Sequence, residues 1–333
     1  MKHVFIGFLV GAFLFTALVA GAATPLKVEA PKGLNPIPIP ANNEMTEEKV
    51  KLGKFLFFEK RLSKDKTLSC ATCHIPKHGY AEPKPTSEGI KGQLGGRNAN
   101  PVVNSAYASS LFWDGRAADL EEQAAGPVEN PIEMGHSMVD VVAFLKDNDA
   151  YVKMFKSAFP PEGKINKETV TKAIAAFERT ILSGNSPYDK GELSADAKKG
   201  QTLFMGKGLC SSCHTPPVFS NWGFYNAGVG MDAEKPDLGR YDVTKQDADK
   251  GAFRVPHLRE AANTAPYFHD GSAETLEDAV RFMAQGGKDN PNLHALFRAV
   301  KAQTFSDAEI KQLVAFLKAL SGEYPIIEEP ELP

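Results

Sequence analysis

Cys70-Ala71-Thr72-Cys73-His74 and Cys210-Ser211-Ser212-Cys213-His214 together use all four cysteines of a 333-residue chain. Cys-x-x-Cys-His is the attachment pattern for a c-type haem: two thiols add to the porphyrin vinyl groups, and the adjoining imidazole becomes an iron ligand. The histidine has to follow the second cysteine directly for its ring to reach the iron of a porphyrin already tethered. A single copy could be half of a zinc site or a redox dithiol. Two copies with no cysteine left over disfavour both, and a four-cysteine zinc site would leave the two histidines unexplained. The motifs therefore predict two covalent haem c groups, one on Cys70, Cys73 and His74, the other on Cys210, Cys213 and His214. His74 and His214 are the predicted iron ligands.

Working outward, the segments before the two motifs resemble each other. Lys51-Leu52-Gly53-Lys54-Phe55-Leu56-Phe57 precedes the first, and Lys198-Lys199-Gly200-Gln201-Thr202-Leu203-Phe204 the second. Gly53 matches Gly200, and a Leu-Phe pair recurs three residues later. Chance similarity of two amphipathic helices is the competing explanation; the shared position upstream of each motif favours duplication. Both segments read as helices, with Thr46 and Ser194 available as N-caps.

Helical periodicity dominates elsewhere. Val170, Ile174, Phe177 and Ile181 share a spacing, as do Ile310, Leu313, Val314, Leu317 and Leu320 behind a Ser306-x-x-Glu309 capping box. Val141, Val142 and Leu145 mark a shorter helix. Strand-like alternation is scarce. Long stretches rich in Gly, Pro and Asn, at 83–104 and 221–249, are suited to wrapping a ligand. The fold class expected is mainly α: two cytochrome c-like helical domains, each around one covalent haem. The expected boundaries are 23–185 and 186–333, joined around 183–193, with the last segment free to pack back on the N-terminal domain.

Residues 1–22 read as a secretory signal peptide: basic Lys2 and His3, an apolar run at 4–20, and the small residues Ala20-Gly21-Ala22. An uncleaved membrane anchor is the alternative, and the small residues favour cleavage. Export to a periplasm fits a chain whose only thiols are destined for thioether bonds. The net charge of −3 argues against a nucleic-acid partner.

The face of each iron opposite its histidine decides the chemistry, because a methionine there favours electron transfer and an open position admits substrate. The segment 275–285 reads as a short helix with Leu276, Val280 and Met283 on one face. Spacing alone leaves Met283, Met231 and Met205 all open as ligands or as core.

Three further blocks resemble those of bacterial di-haem cytochrome c peroxidases: Phe112-Trp113-Asp114-Gly115-Arg116-Ala117, Asn130-Pro131-Ile132-Glu133-Met134-Gly135, and Pro266-Tyr267-Phe268-His269-Asp270-Gly271. The wider family includes the enzyme that matures the methylamine dehydrogenase cofactor. The resemblance spans about 51–320. It implies a low-potential peroxidatic haem in the N-terminal domain and a high-potential haem in the C-terminal domain, with Met283 as the second ligand of the latter. It further implies Trp113 as an electron conduit between the haems and Glu133 as the distal acid and base. One calcium ion is implied between the haems, on Asn98 and the carbonyls of Thr264 and Pro266. Hydrogen peroxide would be the substrate, a small cytochrome c or a cupredoxin the electron donor, and a homodimer the assembly. A respiratory electron carrier and an oxidative maturation enzyme acting on a partner protein are the alternative functions.

One departure stands out. Family members carry a distal histidine on the loop after the first motif, and 86–98 contains none; the position falls on Ile90 or Lys91. Three explanations compete: the iron is open without reductive activation, or His78, His136 or Lys91 substitutes, or peroxide reduction is not the main task. His257 and His294 read as surface or packing residues, and His269 as a support for a haem, through a propionate.

Overall fold

The computed structural model describes residues 23–333; the expected signal segment, 1–22, lies outside the described residues. Helices account for most of the regular structure. The first half holds α1 (Glu47–Phe58), α2 (Cys70–Cys73), α3 (Leu120–Glu129), α4 (Met138–Lys146), α5 (Asp149–Ala158) and α6 (Lys167–Glu178). The second holds α7 (Pro187–Lys190), α8 (Ala195–Met205), α9 (Tyr241–Thr244), α10 (Leu276–Ala284), α11 (Ala295–Lys301) and α12 (Asp307–Lys318). One short antiparallel pair, β1 (Phe224–Tyr225) and β2 (Phe253–Arg254), sets Phe224 opposite Arg254. No described helix is long and apolar enough to cross a membrane.

Local sequence explains where the long helices begin. Thr46 caps α1 by accepting from the Lys49 amide, and Ser194 caps α8 by accepting from Ala197. Ser306 and Glu309 form the capping box of α12. Each cap satisfies amides that have no partner inside the helix, worth about 1 kcal/mol apiece.

The two halves are built on the same crossing. In the first, α1 packs across α6; in the second, α8 packs across α12. A glycine sits at the contact in each. A Cβ on Gly53 would stand 1.9 Å from the Ala173 carbonyl oxygen, and one on Gly200 would stand 1.9 Å from that of Gln312. One turn later, Phe57 meets Phe177 with ring centres 5.2 Å apart at 59°, and Phe204 meets Phe316 at 5.2 Å and 59°. The matching geometry supports duplication far better than the short sequence match does. The apolar cores follow: Leu52, Leu56, Val141, Leu145, Phe155 and Ile174 in one, Phe204, Val280, Ile310, Leu313 and Phe316 in the other.

Gly53→Ala and Gly200→Ala should each destabilise the holoprotein by about 1–3 kcal/mol in a urea titration, because the methyl group has no space and the helices must part. Helix propensity alone predicts the opposite sign, a gain of up to about 1 kcal/mol for alanine. Unchanged or raised stability would show that the crossing is not tight.

The termini strap the halves together. The Arg259 guanidinium makes a two-pronged pair with Asp189 (2.7 and 2.8 Å) and donates to the carbonyls of Gly33 and Pro217, both at 2.8 Å. Its neighbour Glu260, fully buried, accepts from the Ser183 hydroxyl at 2.5 Å and the Gly322 amide at 2.6 Å. At the far end the chain runs back over the first half. The Tyr80 hydroxyl donates to the Pro325 carbonyl at 2.8 Å, and Tyr324 and Ile327 pack on the cluster around Phe57 and Tyr80.

Candidate active site: two cavities with a common wall

Each Cys-x-x-Cys-His motif opens onto its own cavity. Cys70, Cys73 and His74 line the N-terminal one, and Cys210, Cys213 and His214 the C-terminal one. No two of the four thiols are paired as a disulfide. Burial raises the thiol pKa of Cys73 and Cys213 to about 11 and of Cys210 to about 12, and lifts Cys70 as well. These are reduced, neutral sulfurs in the cavity walls, unpaired and so available for thioether attachment.

Both imidazoles are aimed alike. Nδ1 of His74 lies 3.1 Å from the Tyr80 carbonyl oxygen, and Nδ1 of His214 lies 3.0 Å from that of Phe219. An Nδ1–H donated to a carbonyl leaves Nε2 bare, which is the tautomer a metal needs. Burial lowers the pKa of both rings, that of His214 to about 4, so both are neutral near pH 7. The residues present fit a covalently held haem in each cavity.

Trp113 forms part of the wall of both cavities. It is buried, and its indole N–H donates to the Asn98 carbonyl at 2.9 Å. Asn98, Thr264 and Pro266 all reach the C-terminal cavity, and Asn98 lines the N-terminal one too. The Asn98 side-chain N–H donates to the Lys84 carbonyl at 2.9 Å, which leaves its Oδ1 available to a cation.

Glu133 lines the N-terminal cavity with His74. Burial raises its pKa above the ordinary carboxylate value, against the opposing pull of the Asn130 amide and the Arg116 charge. Asn130 donates to Oε1 at 2.7 Å, which fixes one oxygen and leaves the other for a ligand.

A model of the di-haem cytochrome c peroxidase family matches residues 47–198. Over 305 residues the chain is 39% identical to methylamine utilization protein MauG of Methylorubrum extorquens, covering 89% of this chain and 85% of the relative. It is also 39% identical to cytochrome c551 peroxidase of Pseudomonas aeruginosa over 306 residues, covering 87% and 83%. The chain belongs to the di-haem cytochrome c peroxidase family. It is an enzyme of the peroxidase class of oxidoreductases, and membership implies two haem c groups. A solved MauG-like protein associated with microbial copper homeostasis matches the fold with a TM-score of 0.82 at 31% identity, covering 92% of this chain and 99% of that one.

In this di-haem peroxidase the two cavities differ in a way the duplication makes plain. The block Phe112-Trp113-Asp114-Gly115 recurs as Phe268-His269-Asp270-Gly271, with φ of 64° at Phe112 and 71° at Phe268. Trp113 and His269 are thus counterparts, and their rings meet edge to face at 6.4 Å. The helix that follows each block starts Leu-Glu, and its eighth residue is Pro127 in α3 and Met283 in α10. Each of these residues lines its own cavity. Where the C-terminal cavity offers a thioether, the N-terminal one offers a ring with no donor atom. Met231 and Met205 line neither cavity, so the structure separates Met283 from the two methionines that spacing left open.

The loop at 86–98 places no imidazole over the N-terminal cavity. It presses onto the Glu133 turn: the Ile90 amide donates to the Glu133 carbonyl at 2.8 Å, and a Cβ on Gly89 would stand 1.7 Å from the Ile132 carbonyl oxygen. Ile90 is buried against Gly135, and Lys91 projects into solvent at φ 59°. Ser87 to Gly89 and Gly95 to Asn98 form the cavity side of the loop. His136 faces a separate recess with Lys64, Glu129 and Asp140, and His78 is exposed. Neither substitutes for the absent histidine in this structure.

The cavities recruit several residues that the sequence did not single out, three of them on the 222–257 stretch. Arg254, His257 and Trp222 line the N-terminal cavity, and the first two also line the C-terminal one. His257, expected as a surface or packing residue, is buried at the seam between the cavities. The repeat of the Phe-x-Asp-Gly block was a signal in plain view that would have paired Trp113 with His269.

Proposed function

We propose that this enzyme reduces hydrogen peroxide to two molecules of water, with peroxide bound in the N-terminal cavity and Glu133 moving its protons. The observation that carries the proposal is the lining of that cavity. A carboxyl with a burial-raised pKa stands where the repeat-related helix position is a proline and the overlying loop has no imidazole. The haems, when bound, would supply the redox chemistry: an iron site for peroxide and a route for two electrons.

The residues do the rest. Glu133 ionised takes the proton from the near oxygen of peroxide. Glu133 protonated returns it to the far oxygen, which then leaves as water; two electrons and two protons from outside complete two waters. Asn130 holds the carboxyl in place, and burial raises its pKa above the ordinary carboxylate value, which favours the protonated form that the second half-step needs. His74 and His214 would hold the two irons, and Met283, which lines the cavity of His214, would be the second protein ligand there. Trp113, in the wall of both cavities, bridges them for electron transfer. Asn98 Oδ1 and the carbonyls of Thr264 and Pro266 bind one calcium ion beside the seam. We further propose a periplasmic enzyme of two domains, 23–185 and 186–333, released from a signal peptide at 1–22. A homodimer fed by a small cytochrome c or a cupredoxin completes this account.

The test is peroxide turnover by the holoprotein, assayed fully oxidised and again after one-electron reduction, with resonance Raman on the oxidised form. Turnover without pre-reduction, alongside one five-coordinate haem, is the expected result. No turnover in either state, with two six-coordinate haems, would leave an electron carrier. Because MauG of Methylorubrum extorquens matches as well as the c551 peroxidase does, oxidation of a partner protein is the second reading. Peroxide consumption that depends on a protein reductant other than a cytochrome or cupredoxin would favour it.

A further inference from the structure

Two arginines on the segment from β2 onward are equally buried, with opposite surroundings. Arg259 is satisfied by Asp189 at 2.7 and 2.8 Å. Arg254, 5% exposed, has no carboxylate within ion-pair distance among the described residues. Its Nε donates to the Phe112 carbonyl at 3.0 Å and its Nη2 to the Asn100 side chain at 3.3 Å, and the guanidinium lies 5.2 Å from the centre of the Trp222 ring. Burial pulls its pKa down to about 10, against the smaller upward pull of the Asp114 charge.

His257 stands three residues on, 7% exposed, with neither ring nitrogen in a hydrogen bond. The main chains of Val103 and Arg259 are nearby but out of hydrogen-bond geometry. The edge of Trp222 covers one side at 6.3 Å. A buried guanidinium with no carboxylate in ion-pair contact and an imidazole with two unpaired nitrogens are each unfavourable, and native interiors normally supply the partner. Both side chains line both cavities, so whatever fills the seam reaches them. The partner chemistry is a carboxylate, which accepts from a guanidinium fork and an imidazole N–H together. The propionates are the carboxylates a haem carries.

We propose that His257 donates a ring N–H to a haem propionate at the seam of the two cavities, and that Arg254 neutralises the same carboxylate group. This rests on the two-haem reading above and adds a residue to it. The clamp ties the propionate edge of one haem to the wall of the other, so the charge that each iron feels depends on His257.

The experiment uses the holoprotein with His257→Leu, which cannot donate, and His257→Gln, which can. Haem content by pyridine haemochrome is measured first; fewer than two haems per chain in the unmodified protein would fail the two-haem reading and not this one. With two haems bound, each potential is then measured by reductive titration, and the propionate bending bands by resonance Raman. His257→Leu is expected to disfavour reduction of at least one haem by about tenfold, roughly 59 mV for a one-electron couple. The sign follows because an ionised propionate that loses a donor keeps more negative charge near the iron and favours the ferric state. His257→Gln should recover most of the shift. If His257→Leu loads fewer than two haems, His257→Thr, too short to reach, takes its place and must give the same shift. Unchanged potentials and propionate bands in a fully loaded variant would overturn the proposal and leave a trapped water as the partner of His257.

Discussion

Glu133→Gln is expected to leave both haem spectra intact and to lower peroxide turnover by about a hundred- to ten-thousand-fold, the range of a lost general acid and base. The amide is nearly isosteric, so cavity shape survives while proton transfer does not. The same carboxyl sets the acid limb of the pH profile. Its ionised form begins the reaction, so activity should rise with pH through the Glu133 pKa. Burial raises that pKa, so the limb should lie above the ordinary carboxylate value of 4.5. The limb should vanish in Glu133→Gln. Turnover within threefold of the unmodified enzyme, or a limb that survives the substitution, would remove Glu133 from the mechanism.

Arg259→Met should destabilise the holoprotein by about 3–5 kcal/mol, the consequence of leaving Asp189 buried and unpaired. The side chains of both partners are almost wholly excluded from solvent, at 0% and 1% exposure. The N-terminal segment is held through the same guanidinium at Gly33, so its loss should also expose residues near 33 to proteolysis. Burial pushes the Asp189 pKa up, but hydrogen bonds from Arg259 and Ser186 outweigh it and hold the carboxyl below its ordinary range. A depressed acid contributes stability above its unfolded pKa and loses it as pH falls through the folded one. The difference between Arg259→Met and the unmodified protein should therefore shrink in strong acid. Replacing both partners with apolar residues, Arg259→Met with Asp189→Leu, should recover much of the loss. Urea titrations of the three holoproteins decide it; a single variant as stable as the double one would show that Asp189 finds another partner.

Much of the helical framework was legible because its signals are local. Thr46, Ser194 and the Ser306–Glu309 box cap helices where the sequence places them, since a cap needs only residues three apart. The likeness of Gly53 to Gly200 was visible as a letter match. Its reason, a carbonyl 1.9 Å from where a Cβ would lie, belongs to helices more than a hundred residues downstream of each glycine.

The histidines divide the same way. His74 and His214 were assigned from their neighbours, whereas His136 and His257 were not assignable from theirs. His136 lies three residues past Glu133 yet faces a different recess, because the turn that carries Glu133 inward reverses at Gly135, φ 56°. His257 has an ordinary loop context and becomes the seam of two cavities only when residues near 100, 113 and 222 close around it.

The sequence by itself determined the cofactor chemistry and the helical class. Two thiols and an imidazole within five residues form a covalent site whatever surrounds them, and apolar spacing with caps specifies helices turn by turn. Only the tertiary structure decided which methionine shares a cavity with His214, that Pro127 stands in its place on the other side, and that Arg254 lies buried with no carboxylate in ion-pair contact among the described residues. Each of these is a statement about what a side chain faces. That is settled by contacts between segments remote in the chain, in a packed interior where one missing partner costs more than any local preference can supply.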